Sequence, residues 1–304
     1  MNGWLLPKLR KEKTMLLMIS PAVIFFFIFS YLPMAGSILA FKNFSYDLGI
    51  FGSKWVGFDN FRFFFVSGDG VRVTMNTLLY NLAFISVNTV LQVFVAILLA
   101  EITSKSFKKV AQTVMFLPYF ISWVVVGAIA YNMFNFEHGV INSILLSFHL
   151  QPIDIYNTPS IWKYLLVTFS AWKVIGYGTV FYLAAIMSID TDLYEAADID
   201  GANIFQRIRH ITIPGLIPTI VVLVLLGIGN MFRGDFGLFY QLANNPMLFQ
   251  ATDVIDTYVF RSLITVGDVG MSAAIGLYQS ILCFITILVT NYLVRSANKD
   301  YALF

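Results

Sequence analysis

Val73–Ala100, VTMNTLLYNLAFISVNTVLQVFVAILLA, runs for 28 residues without an Asp, Glu, Lys or Arg. About 20 apolar residues cross a hydrocarbon core of about 30 Å as a helix, and a lone segment in lipid can satisfy its backbone only as a helix. The stretch therefore reads as a transmembrane helix, and it has company. Met15–Phe41, Val110–Phe136, Ile211–Phe232 and Val269–Val294 are equally free of charge, each longer than 20 residues. Ile161–Ile189 matches them in length but carries Lys163 at its start and Lys173 near its middle. Six spans make an all-α integral membrane protein, with a transmembrane domain over 15–295 between short segments 1–14 and 296–304.

The composition agrees. The 304 residues are 58% apolar and 12% charged, with a mean hydropathy of +0.77, where a soluble protein carries about 25% charged residues. A net charge of +2, from 19 basic and 17 acidic residues, gives no footprint for nucleic acid, which requires clustered positive charge. Cys283 is the single cysteine and lies in an apolar run, so neither a disulfide nor a thiolate metal site is available within the chain. The 30 Phe, 15 Tyr and 5 Trp suit helix packing and membrane interfaces, and no axial-ligand pattern accompanies them. Ser272 and Gly276 form a small-x-x-x-small pair of the kind that lets helices approach closely.

Met1–Lys13 precedes the first span with Lys8, Arg10, Lys11 and Lys13, the charge pattern of a secretory signal. The apolar run behind it continues for 27 residues, whereas a signal h-region has about 7–15, so an uncleaved first span is expected. Placing the N-terminus inside collects eleven basic residues on the cytoplasmic side, among them Lys105, Lys108, Lys109, Arg207, Arg209, Arg295 and Lys299. Six fall outside: Lys42, Lys54, Arg62, Arg72, Arg233 and Arg261. The positive-inside rule then puts both termini in the cytoplasm, with 43–70, 137–160 and 235–268 as outer segments.

One substantial cytoplasmic loop remains, 190–214. Its acidic residues precede Arg207, Arg209 and His210, a charge order that complements a helix dipole, and Asp190 or Asp192 suits an N-cap. Gly201 offers a bend between two helical pieces, and Pro214 with Pro218 suits the start of the fifth span. Taken alone, this is equally the pattern of a solvated connection between two spans.

The order Glu195-Ala196-Ala197, three residues, Gly201, nine residues, Ile211, one residue, Ile213-Pro214 resembles the coupling motif E-A-A-x3-G-x9-I-x-L-P of ABC importer permeases, with Ile213 in place of leucine. The resemblance implies that this loop docks in a groove of an ATP-binding subunit and passes nucleotide-driven closure to the spans. Ala196 and Ala197 would permit close approach, Glu195 would be a polar anchor, and Gly201 the bend. Trp55-Val56-Gly57-Phe58-Asp59-Asn60-Phe61 is similar to the aromatic-x-G-x-x-N-aromatic segment of carbohydrate permeases. Asn76-Thr77 and Phe116-Leu117-Pro118 also look like theirs. Gly234–Gln241, Asp253–Tyr258 and Gly267–Ser272 resemble the branch that handles complex oligosaccharides, alginate and polygalacturonate types included.

That family implies half of a permease pair: a second homologous permease, two ATP-binding subunits that hold ATP and Mg, an extracytoplasmic sugar-binding protein, and a place in the bacterial cytoplasmic (inner) membrane. The chain has no G-x-x-x-x-G-K-[ST] phosphate loop, so ATP hydrolysis is expected elsewhere. It has no H-E-x-x-H or G-x-S-x-G motif, and no catalytic or metal-ligating residue is assigned.

A sugar leaving water needs hydrogen-bond partners for its hydroxyls and aromatic faces for its rings. Asn88 and Gln92, Trp172, Lys173 and Tyr177, Asn230, and Tyr278 with Gln279 are the polar and aromatic candidates for such a path, and each suits bonding to a neighbouring helix equally. A mid-membrane ammonium at Lys173 requires a partner, which a uronate carboxylate, the second permease or snorkelling to the interface would supply. A self-sufficient secondary transporter is the alternative reading. It calls for acidic residues inside the spans, and all six lack them.

Overall fold

The computed structural model describes residues 13–297, so Lys8, Arg10, Lys11 and Lys299 lie outside the described residues. The first span is α1, Lys13–Phe41, an α-helix that passes through a π turn at Phe27–Tyr31 and tightens to 3-10 over Ala35–Phe41. Two compact units divide the chain, one of residues 13–67 with 261–277 and one of 68–260 with 278–297.

In the first unit the chain leaves α1 into β1 (Lys42–Asn43), which pairs antiparallel with β2 (Lys54–Trp55), and continues into α2 (Asp59–Val66). Asn60 explains the aromatic-x-G-x-x-N-aromatic segment: its amide donates to the carbonyls of Ala40 at 2.9 Å and Lys42 at 3.1 Å, closing the hairpin onto the end of α1. Gly57 supplies the positive φ of 62° that turns the chain from β2 into α2. Lys42 is buried and donates to the carbonyls of Ile50 and Phe51 at 2.8 and 3.0 Å.

The second unit holds α3 (Asp69–Glu101), α4 (Lys105–Phe120), α5 (Trp123–Phe134), α6 (Val140–Ser147), α7 (Pro159–Met187), α8 (Thr191–Ile199), α9 (Ile204–Gly229) and α10 (Phe236–Ala243). A short helix, α11 (Ile255–Arg261), precedes α12 (Val269–Ala297). Helices α3, α7, α9 and α12, like α1, are long and apolar enough to cross a membrane singly. The third expected span is different. It breaks into α4 and α5, bent by 92° at Ile121–Ser122, so the continuous helix expected over Val110–Phe136 does not form. Pro118 removes a ladder N–H, Ile121 turns extended (ψ 128°), and Ser122 begins a new helix by accepting from the Val125 N–H.

Two buried clusters hold this unit together. One gathers Tyr80, Phe84, Val126, Trp162, Leu166, Phe239 and Leu248, and the other Ala96, Leu99, Tyr182, Leu183 and Leu216. Between them the helices approach through glycine: a Cβ on Gly176 would overlap the Met115 carbonyl, and one on Gly178 the Gln92 amide. Lipid is as apolar as these side chains, so the gain is close van der Waals packing rather than removal from water.

Within the segment 235–268, expected on the outer side, much of 238–262 is buried in the protein. Asp253 is 1% exposed, and Val254 and Ile255 are fully buried. Three side chains of α3 fix it: Asn76 donates to the Asp253 carbonyl, the Ile255 N–H donates to Thr77, and the Tyr80 hydroxyl donates to the Ala251 carbonyl, all at 3.0 Å. Hydropathy does not register such burial, because polar backbone met by side chains from another span looks like a loop in one dimension.

Candidate functional site

The coupling segment folds as two short helices with a defined turn. Asp190 caps α8 by accepting from the Asp192 N–H at 3.1 Å. At its other end Gly201 takes φ +75°, its N–H donates to the Asp198 carbonyl (3.1 Å), and the Ala202 N–H donates to the Ala197 carbonyl (2.9 Å). That pair of bonds is a Schellman motif, which requires a left-handed residue and so accounts for the glycine. Asn203 then opens α9 with a reciprocal capping box to Gln206.

Arg207 bridges the two helices and the end of α3, with Asp198 at 2.6 Å and Glu101 at 3.9 Å, while the Tyr194 hydroxyl meets buried Thr212 at 3.0 Å. These contacts clamp one face of α8. The opposite face leaves Glu195 and Ala196 exposed beside Ile199, at 86% exposure, and Phe205, at 79%, follows the turn. Ile211 is half-buried. Pro214 stands in the first turn of the regular α-helical part of α9, Ile213–Gly229, which a π turn over Ile208–Thr212 joins to the turn Ile204–Arg207.

Three of the eight path candidates meet. Asn88, Gln92 and Tyr177 line a cavity of about 260 Å³ with Phe84, Phe181 and Tyr182, between α3, α7 and α9. The Gln92 amide donates to the Val174 carbonyl at 3.3 Å, whereas the Asn88 amide oxygen is buried with no hydrogen-bond partner among the described residues. Tyr177 stacks on Tyr119 with ring centroids 4.4 Å apart.

The other five lie apart from this cavity. Trp172 sits edge-on to Phe169, Asn230 bonds the Leu226 carbonyl at the end of α9, and Tyr278 meets Thr74. Gln279 donates to the Phe232 carbonyl and to Asp256, both at 2.8 Å. Burial raises the Asp256 carboxyl above its ordinary pKa, while the Gly234 N–H, Gln279 and Arg233 pull it back.

Lys173, 8% exposed, donates to the carbonyls of Pro118 and Tyr119 at 3.3 Å each and also to that of Ile121, with its ammonium 4.9 Å from the centre of the Trp123 ring. The Pro118 carbonyl also accepts the Ile121 N–H at 3.2 Å, but the break in the third span takes Tyr119 and Ile121 out of the helical ladder, and in a membrane their carbonyls need another donor. Lys173 is that donor, placed at the negative end of the α4 dipole. Its ammonium is thus engaged within the chain by backbone carbonyls. The sequence signal existed in Pro118, but linking it to a lysine 55 residues away needed the fold.

Long apolar helices around a cavity that holds Asn88 and Gln92, with an exposed helical hairpin at one end of α7, have the form of a membrane permease. The chain belongs to the family of binding-protein-dependent transport system inner membrane components, whose profile matches residues 92–299. It is a multi-pass inner-membrane permease with the type I ABC importer fold.

It is 36% identical to Protein LplB of Bacillus subtilis (strain 168), over 96% of this chain and 92% of that one. It is 32% identical to the polygalacturonan/rhamnogalacturonan transport system permease protein YteP of the same organism, over 97% and 92%. Among solved structures, a chain of a bacterial alginate ABC transporter, in complex with its alginate pentasaccharide-bound periplasmic protein, superposes with a TM-score of 0.87. That match has 30% identity and covers 97% of this chain and 98% of the other.

Proposed function

We propose that this chain is one half of the membrane pathway of an ATP-driven importer that carries an oligosaccharide or complex carbohydrate into the cytoplasm by alternating access. The observation that carries the reading is the coupling hairpin. Ile199 and Phe205 are apolar, exposed and held on a clamped turn, which suits a protein groove rather than water. In this reading 190–214 faces the cytoplasm, as do 1–14 and 296–304, and Glu195, Ala196, Ala197 and Gly201 meet an ATP-binding subunit. Ile211 and Pro214 carry the motion into α9. Two such subunits bind ATP and Mg and perform the hydrolysis; a second homologous permease completes the path, and an extracytoplasmic sugar-binding protein delivers the cargo. The carbohydrate class is supported by relatives whose names concern polygalacturonan, rhamnogalacturonan and alginate.

Asn88, Gln92 and Tyr177 are the path residues this reading places against the sugar, because an unpartnered amide oxygen beside aromatic rings matches hydroxyl and ring chemistry. Lys173, Tyr278 and Gln279 are read as holding helices together, from the contacts they already make to other elements, and Trp172 and Asn230 as packing against their own helices. The test is purification of the chain from its membrane in mild detergent, identification of its stoichiometric companions, and uptake assays in vesicles. A second permease and an ATPase with a phosphate-binding loop are expected, with uptake of saccharide that requires ATP. Recovery of the chain alone, active without ATP, would return the secondary transporter.

A further inference from the structure

At the end of α7 remote from the coupling hairpin lies a larger cavity, of about 790 Å³. The two are separated by the length of a 29-residue helix, about 43 Å at 1.5 Å per residue. Three stretches of chain build the cavity: the C-terminal turns of α5 with the residues after it, the approach to α7, and the end of α10. Close packing sets its walls, since a Cβ on Gly127 of α5 would stand 2.7 Å from the Gln241 carbonyl oxygen of α10.

Tyr131 and Tyr156 pack together on its wall with ring centroids 6.1 Å apart, and Glu137, Asp154, Gln241 and Asn244 supply polar groups. Local bonds hold several of these in place. Asn157 donates to Asp154 at 2.6 Å, and Asn135 fixes the turn at Glu137 by accepting from the Glu137 and His138 N–H groups at 2.9 Å each. The side-chain amides of Gln241 and Asn244 make no hydrogen bond among the described residues.

Aromatic faces, carboxylate acceptors and free amides in one concave site are what a pyranose needs: a ring to stack on, and paired donors and acceptors for adjacent hydroxyls. The charge narrows the ligand. Two carboxylates line the cavity, and no Lys or Arg is among the described residues that do. A uronate brought here meets like charge, whereas an uncharged sugar meets the two carboxylates simply as acceptors for its hydroxyls. We propose that this cavity is a saccharide subsite at the outer mouth of the path that selects uncharged sugar units over uronates. The inference rests on the importer reading above and narrows its substrate class.

The test uses the complete transporter in lipid nanodiscs and two probes of one stereochemistry, tetragalacturonate and its carboxyl-reduced neutral counterpart, with binding followed by saturation-transfer NMR. The neutral probe is expected to bind about tenfold more weakly to Tyr131→Ala, and the wild type to bind tetragalacturonate at least about fivefold more weakly than the neutral probe. Glu137→Gln combined with Asp154→Asn should abolish that preference. Gln241→Ala, which removes a side chain with no internal bond, repeats the test should Tyr131→Ala fail to assemble. Equal binding of both probes to the wild type, no binding of either, or neutral binding indifferent to the variants overturns the subsite. So does a loss confined to affinity for the sugar-free binding protein, which would make the cavity a docking surface. Failure of the importer reading is distinct: the wild-type complex would then import no saccharide with ATP present.

Discussion

The two ends of α7 are built by opposite strategies. The coupling end is assembled from consecutive residues, 190–214, in which each turn is fixed by neighbours a few positions away: Asp190 on Asp192, Gly201 on Asp198, Asn203 on Gln206. The far end is assembled from three separate stretches within 127–246, with Gly127, Tyr156 and Gln241 brought together by helix packing. A site that must present one surface to another protein can be written locally. A site that must enclose a small molecule needs walls from several elements, and its sequence trace is correspondingly diffuse.

The largest expected effect breaks the local end. Gly201→Val forces an L-residue into φ +75°, where a side chain costs about 1–2 kcal/mol, and opens the Schellman turn between α8 and α9. Saccharide-stimulated ATPase activity of the reconstituted complex should fall by about tenfold or more, with the spans still folded. Full stimulation in this variant would detach 190–214 from coupling.

Next in size is Lys173→Met. It keeps the length of the side chain and strands the carbonyls of Tyr119 and Ile121, at about 1–3 kcal/mol for a buried group left unbonded, or several degrees of Tm in detergent. Asn88→Ala is its counterpart. Because the Asn88 amide oxygen has no partner, stability should stay within about 0.5 kcal/mol of wild type while KM for uptake rises about threefold to tenfold. If thermal unfolding instead ranks Asn88→Ala below Lys173→Met, the assignment of one residue to the scaffold and the other to the path is reversed.

These variants mark where the sequence was legible. Uncharged runs located four of the spans and the apolar run with Lys163 and Lys173 a fifth, since lipid imposes length and apolarity on any helix that crosses it, although α9 begins at Ile204, before its uncharged run; the spacing from Glu195 to Pro214 located the coupling hairpin. The break at Ile121–Ser122 was hidden because both pieces are apolar and hydropathy ignores direction. Burial of Asp253 was hidden because its neighbours' bonds come from Asn76, Thr77 and Tyr80 on α3. Of the eight polar and aromatic positions within the spans, only Asn88, Gln92 and Tyr177 share a cavity, and helical spacing paired no more than the first two.

The smallest effect sharpens the far end. Burial, with Tyr131 adding to it, lifts the Tyr156 phenol from 10.0 to about 12. Below pH 10 both folded and unfolded chains hold this proton, so the group contributes no pH dependence; between 10 and about 12 only the folded chain keeps it. The unfolded state binds fewer protons in that window, so the stabilisation due to the neutral phenol is fully present below pH 10 and stability falls as pH rises toward 12. Tyr156→Phe removes the titrating group, and its Tm should decline less steeply than that of the wild type over this interval, by about 1–2 °C given the partial exposure of the ring. Parallel curves for the two proteins would mean that the phenol is hydrated in solution, and the wall between Tyr131 and Tyr156 would then be looser than the 6.1 Å ring spacing implies.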